Sequence, residues 1–290
     1  MPGMQPQQRF VQCLSPKGLH NIAYLEWGDA GNDNVLVCVH GLTRCARDFE
    51  NLARAMSDRY RVICPDVAGR GNSAWLADPL LYGIPQYVSD MVTLIARLGV
   101  QKVDWVGTSM GGLIGMALAA LGDTPVRRLV LNDAGPVITK VSLERIAAYV
   151  GLAPTFPDIG SATQYIRAIS ATFGPHTDEE WRFLTEVVVR RQPEGSYRMH
   201  YDPRIGEPFK QAMPQADVEL WPLYDAIKAP MLVLRGELSD LLKRETCQAM
   251  AGRGPKAATV EIAGVGHAPT LLHDDQIAIV RGFLLEGLTP

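Results

Sequence analysis

A serine stands between two glycines in Gly107-Thr108-Ser109-Met110-Gly111, after the β-prone run Val103–Val106 and before an apolar helical stretch. The G-x-S-x-G spacing suits a strand-to-helix turn tight enough to strain the serine backbone and expose its hydroxyl, with small residues letting strand and helix approach. A helix N-cap is the bland alternative for the same residue. As a nucleophile the hydroxyl needs a base to take its proton. Of the six histidines, His267 in "AGVGHAPTL" follows the run Ala258–Ile262 on a glycine-rich loop and is the base we expect. His20 opens an early strand, His273 stands at a helix start, and His40 abuts a strand end, where a histidine braces a loop.

The base needs a carboxylate to fix its tautomer and stabilise the imidazolium. "LVLRGELSDLL" offers Asp240 and "LVLNDAGP" offers Asp133, both just past strand ends. We take Asp240 as the partner, with Asp133 as its rival; Asp240 could instead cap a helix, and Asp133 could tie down a loop. Acyl transfer also requires donors for the oxygen that becomes negative. The strand end His40-Gly41-Leu42 and the helix start after Ser109 would supply the backbone N–H groups of Leu42 and Met110.

The elements that must position these groups alternate along the chain. Val35–Val39, Arg61–Cys64, Val103–Val106, Leu129–Leu131, "APMLVLRG" and Ala258–Ile262 are nearly continuous apolar runs separated by helical patterns. Continuous rather than alternating runs indicate strands covered on both faces, and the repeated strand–crossover–strand order indicates a doubly wound, mostly parallel α/β sheet. From about Pro136 to Pro222 the rhythm becomes helical, with Leu143–Val150, Ala162–Phe173 and Glu179–Arg190 as helices. We therefore expect a first core part at 1–135, a helical insertion at 136–222 and a second core part at 223–290. Trp181, Phe173, Tyr165, Phe156 and Tyr201 would either wall a substrate pocket or, for most of them, pack the insertion onto the core.

Composition excludes several classes. Hydrophobic residues make up 47% and charged residues 20% of 290 residues, enough for a sizeable core, and the net charge of −3 without a basic cluster speaks against nucleic acid. The polar N-terminus "MPGMQPQQRF" does not read as a signal peptide, and Leu113–Leu121 is too short to span a bilayer. Five cysteines without a C-x-x-C pair read as reduced and buried in a cytoplasmic protein. No H-E-x-x-H or Cys/His cluster supports a metal. "DVAGRGNS" lacks the Lys-Ser/Thr of a phosphate loop and reads as a turn lining the site entrance. No cofactor is expected.

In order along the chain, strand-HG, DxxGxGxS, strand-GxSxG, strand-RGxxSD and GxGH resemble the α/β-hydrolase superfamily, over nearly the whole chain except the insertion. The resemblance implies an eight-stranded, mostly parallel sheet with a helical cap between strands six and seven, and the order Ser109, Asp240, His267 matches that of the family. His40-Gly41-Leu42-Thr43 departs from the HGGG oxyanion loop and resembles the cap-bearing branch of small esterases and C–C bond hydrolases. Haloalkane dehalogenases and epoxide hydrolases share the fold but use an aspartate where this chain has Ser109. "LVLNDAGP", "RGELSDLL" and "GVGHAPTL" look similar to bacterial carboxylesterases, some of which act on short hydroxyalkanoate oligomers and other polyesters. The resemblance thus implies a carboxylic ester hydrolase acting on a small or oligomeric ester. A C–C bond hydrolase with the same triad and a non-catalytic ligand-binding protein are the alternatives.

Overall fold

Residues 5–286 are described by the computed structural model. Six strands come first: β1 (Gln7–Ser15), β2 (Gly18–Trp27), β3 (Val35–Val39), β4 (Arg61–Pro65), β5 (Val103–Thr108) and β6 (Val126–Asn132). Five short ones follow: β7 (Val137–Ile138), β8 (Thr155–Phe156), β9 (Val189–Arg191), β10 (Tyr197–Met199) and β11 (Val218–Glu219). The last two are β12 (Met231–Gly236) and β13 (Ala258–Ile262). The main sheet has eight strands in the order β1-β2-β4-β3-β5-β6-β12-β13. From β4 across to β13 every pairing is parallel, whereas the β1–β2 hairpin and the β2–β4 pairing are antiparallel. Every residue of β3 and β12 is buried, which is why these runs read as continuous; β1, at the edge, alternates in its second half.

The helices are α1 (Glu50–Met56), α2 (Ile84–Leu98), α3 (Met110–Ala119), α4 (Lys140–Tyr149), α5 (Ile159–Ile169), α6 (Asp178–Glu186), α7 (Glu207–Gln211), α8 (Trp221–Ala226), α9 (Arg244–Gly252) and α10 (Asp274–Glu286). One apolar cluster joins α2, α3, α8 and α9 to one face of the sheet, and a second joins α1 and α10 to the other. Each Leu, Ile, Val or Phe so buried contributes about 1.5–3 kcal/mol relative to exposure. This is the doubly wound arrangement that places strand C-terminal ends, and the loops after them, along one rim.

The segment between β6 and β12 is not purely helical. Besides α4 to α7 it holds a three-stranded sheet, β8-β10-β9, and the pair β11-β7. Strands of two or three residues are too short to produce an alternating pattern, so they leave no periodic trace in the chain. The expected helix Glu179–Arg190 accordingly stops at Glu186, and Val189–Arg191 pairs with β10. The expected boundary at Pro222 falls inside α8, where the Tyr224 hydroxyl donates to the Met250 carbonyl at 2.7 Å and so ties α8 to α9 of the core.

The insertion is anchored on the glycine-spaced loop after β4. Gly71 N donates to His200 O at 2.9 Å, Asp202 N to Gly69 O at 2.7 Å, and the Tyr82 hydroxyl to Asp202 at 2.6 Å. Within the loop, Asp66 accepts the backbone N–H groups of Ala46 and Asn72, each at 2.8 Å. The loop is therefore a buried brace, not the turn at the site entrance that its composition suggested.

Candidate active site

Ser109 occupies the turn between β5 and α3 with φ 51° and ψ −113°, a conformation L-residues rarely adopt. Three backbone hydrogen bonds hold it there: Ser109 N to Asn132 O at 3.0 Å, and Gly112 N and Leu113 N to Ser109 O at 2.9 and 3.1 Å. The flanking glycines are required sterically. A Cβ on Gly107 would lie 2.2 Å from Gly111 O, and one on Gly111 would lie 2.0 Å from Val39 O. The side chain of Ser109 makes no cap to the helix it precedes. Its hydroxyl lies 3.0 Å from His267 Nε2.

His267 faces Asp133, not Asp240. Its Nδ1 is 2.7 Å from Asp133 Oδ2, so the ring carries its proton on Nδ1 and presents Nε2 as acceptor to Ser109. Asp133 is fully buried, directly after β6, with φ 50°. Its second oxygen accepts from Gly236 N at 3.0 Å, and the Ser239 hydroxyl donates to Oδ2 at 2.6 Å. A carboxylate removed from water needs such donors.

The preference for Asp240 is thus corrected. The loop after β12 is wound around the buried Arg235, whose guanidinium donates to the carbonyls of Glu237, Ser239 and Leu242. That winding turns Ser239 toward Asp133 and Asp240 outward, where Asp240 is half exposed and pairs with Arg145 of α4. Ser239, which sequence reasoning missed, is therefore the residue by which this loop supports the His267–Asp133 pair. Thr172 is the other unforeseen participant: its hydroxyl donates to His267 O at 2.7 Å, and its carbonyl accepts Gly266 N at 2.6 Å.

The two expected oxyanion donors flank Ser109. Met110 is the first residue of α3, where backbone N–H groups have no partner within the helix. Gly41, next to Leu42, packs on Ser109, a Cβ at Gly41 lying 3.7 Å from that of the serine. Arg70, fully buried, ties the Leu42 loop to α2 and α3: Nε donates to Leu42 O at 2.8 Å, Nη1 to the Tyr87 hydroxyl at 2.8 Å, and Nη2 lies 3.8 Å from Met110 Sδ.

His40 braces the loop from beneath and is not part of the relay. Its Nδ1–H donates to Gly41 O at 2.7 Å while Nε2 accepts Val67 N at 3.0 Å, an arrangement only the neutral ring can make. Burial pushes its pKa down to about 3, and burial likewise lowers that of His200 to about 4. Both rings must charge on unfolding, where histidine titrates near 6.5. Stability is therefore complete above that pH, and each ring removes up to ~1.4 kcal/mol per pH unit on acidification below it. Asp66 acts in the opposite sense: burial raises its pKa to about 6, so the folded state takes up a proton before the unfolded one and offsets one histidine between about pH 6 and 4. The net expectation is a loss of about 2 kcal/mol between pH 7 and 5 in urea titrations. His40→Gln should have a shallower loss, and an unchanged slope in that variant would remove His40 from the account.

Two cavities meet at Ser109. The larger, about 370 Å³, is bounded by Thr43, Arg44, Arg145, Tyr149 and Phe173 as well as His267. The smaller, about 170 Å³, is walled by Tyr82, Tyr87, Met110, Leu113, Ile138 and Phe209 and has no charged residue in its lining. Leu42, Ile146 and Leu241 border both. Of the five aromatic residues named for the insertion, Phe173 lines the larger cavity. Phe156 and Tyr165 pack against each other, tilted, with ring centroids 5.2 Å apart, Trp181 packs with Leu184 and Leu272, and the Tyr201 hydroxyl donates to Leu152 O. His20, paired with Asp90 at 3.0 Å, lies elsewhere, on β2.

A family profile described as the alpha/beta hydrolase fold matches residues 34–274, and the chain belongs to that family. It is 53% identical over 285 residues to a 3-hydroxybutyrate-oligomer hydrolase of Cupriavidus necator, covering 96% of this chain and 97% of that one. It is 23% identical to a pimeloyl-(acyl-carrier protein) methyl ester esterase of Aliivibrio fischeri, over 90% of this chain and 97% of the relative. Among solved structures it is similar to an alpha/beta hydrolase from Novosphingobium aromaticivorans, with a TM-score of 0.87, 37% identity, and coverage of 98% and 99% of the two chains.

Proposed function

We infer that this chain is a carboxylic ester hydrolase acting through an acyl-enzyme on Ser109, and that its substrates are oligomeric esters of short hydroxy acids. The observation that carries the reading is the unbroken relay from the Ser109 hydroxyl through His267 to the buried Asp133. His267 Nε2 takes the serine proton as Oγ attacks the acyl carbon, and Asp133 stabilises the imidazolium so formed. The oxygen that becomes negative is met by the N–H groups of Leu42 and Met110. His267 then gives its proton to the departing alcohol oxygen. In the second half the same base deprotonates a water, which releases the acid and restores Ser109.

The substrate class rests on the high identity to the oligomer hydrolase and on the two unequal cavities. A smaller apolar cavity below the ~300–1,000 Å³ usual for drug-sized ligands suits a short acyl group, and the larger one receives the alcohol portion. The relay argues against a non-catalytic binding role, and the esterase relatives favour esters over C–C bonds. No helix among the described residues is long and apolar enough to cross a membrane. All five cysteines are free and buried, which fits the cytoplasm as the location. The test is a panel of p-nitrophenyl esters of rising acyl length beside 3-hydroxybutyrate dimers and trimers. Turnover should be highest for acyl groups of about four carbons and for the oligomers; a preference for long acyl chains, or no turnover of oligomers, would overturn the reading.

A further inference from the structure

The larger cavity carries a cation whose partner can be exchanged. Arg145 projects from α4 into the wall shared with Ser109, and its side chain is 44% exposed. Its partner Asp240 is itself 52% exposed and belongs to the outer side of the loop after β12. An ion pair this open to water adds little to stability, so replacing Asp240 by another carboxylate costs little. The other arginine of the cavity is committed. Arg44 is 10% exposed, makes two hydrogen bonds of 2.7 Å to Asp48 and a third to Leu184 O, and lies over the Phe173 ring.

We propose that Arg145 binds the free terminal carboxylate of the ester substrate, displacing Asp240, and so places the carboxylate-bearing alcohol portion in the larger cavity and the acyl portion in the apolar one. This deepens the proposed function and rests on it. A linear oligomer of a hydroxy acid has one charged end, and the smaller cavity has no charged residue to receive it. The substrate is thereby read from its acid end, and the group that leaves from Ser109 is the hydroxy acid whose carboxylate Arg145 holds. Esters without a free carboxylate are turned over without this contact.

The experiment compares kcat/KM for the 3-hydroxybutyrate dimer as free acid and as its methyl ester, in wild type, Arg145→Met and Arg145→Lys. A hydrogen-bonded charge contact implies that Arg145→Met lowers the acid-to-ester ratio about tenfold or more, chiefly through KM, with Arg145→Lys intermediate. Raising salt should increase KM for the acid more than for the methyl ester. Asp240→Asn, which removes the competitor, should lower KM for the acid. An unchanged ratio in Arg145→Met, or equal losses on both substrates, overturns the proposal while leaving the ester hydrolase intact. Wild type that cleaves p-nitrophenyl esters but neither dimer overturns the oligomer reading itself, and the carboxylate site with it.

Discussion

Ser109→Ala will fold as the parent does and lose roughly 10⁵–10⁶ in kcat on any ester that the parent cleaves. The change removes one oxygen from a side chain that makes no cap to α3 and keeps its Cβ, so the unfolding midpoint should stay within the small range of ordinary surface substitutions. Residual turnover above the uncatalysed rate reports the oxyanion donors and binding, which survive the change. The measurement is steady-state kcat on p-nitrophenyl butyrate beside a fluorophosphonate labelling reaction. Full activity, or labelling that persists in the variant, would place the nucleophile elsewhere.

The second large effect separates two aspartates. Asp133→Asn should lower kcat by about 10⁴, because an amide at that position cannot hold the Nδ1–H tautomer that leaves Nε2 free for Ser109. It also replaces a fully buried acceptor that takes Gly236 N and the Ser239 hydroxyl. Some stability is expected to go with it, and activity must therefore be normalised to folded protein by circular dichroism. Asp240→Asn disturbs only a half-exposed pair with Arg145 and should hold kcat on uncharged esters within about fivefold. Comparable losses in both variants would return Asp240 to the catalytic centre.

This pair of residues also marks the limit of what the primary structure discloses. Ser109 and His267 are legible because glycine spacing and a preceding strand constrain the backbone around each one. The core sheet is legible for a related reason: strands buried on both faces leave unbroken apolar runs. Asp133 and Asp240 both follow such runs, and the choice between them depends on which way each loop turns. Asp133 stands one position after β6, in backbone that points it under His267. Asp240 stands four residues beyond β12, where the contacts of Arg235 direct Ser239 inward and Asp240 outward. A clue lies in "LVLNDAGP", where a charged residue continues a run that is otherwise wholly buried, a placement that requires donors on the carboxylate. Arg70 is illegible for another reason: nothing local distinguishes a buried arginine that ties down Leu42 from one on a solvated turn.

The hydroxyl and carbonyl of Thr172, clasping His267 and Gly266, have an implication for engineering. Substrate range in such scaffolds invites transplantation of the segment over the site as a self-contained part. Here His267, the base we propose, takes part of its support from that segment, so the two are not separable modules. A graft chosen only for its pocket would arrive without the clasp and leave the imidazole less firmly aligned between Ser109 and Asp133. Exchanges that keep residues 170–176 of this chain and vary the helices around them are the ones in which new selectivity can be obtained with the proton relay still in register.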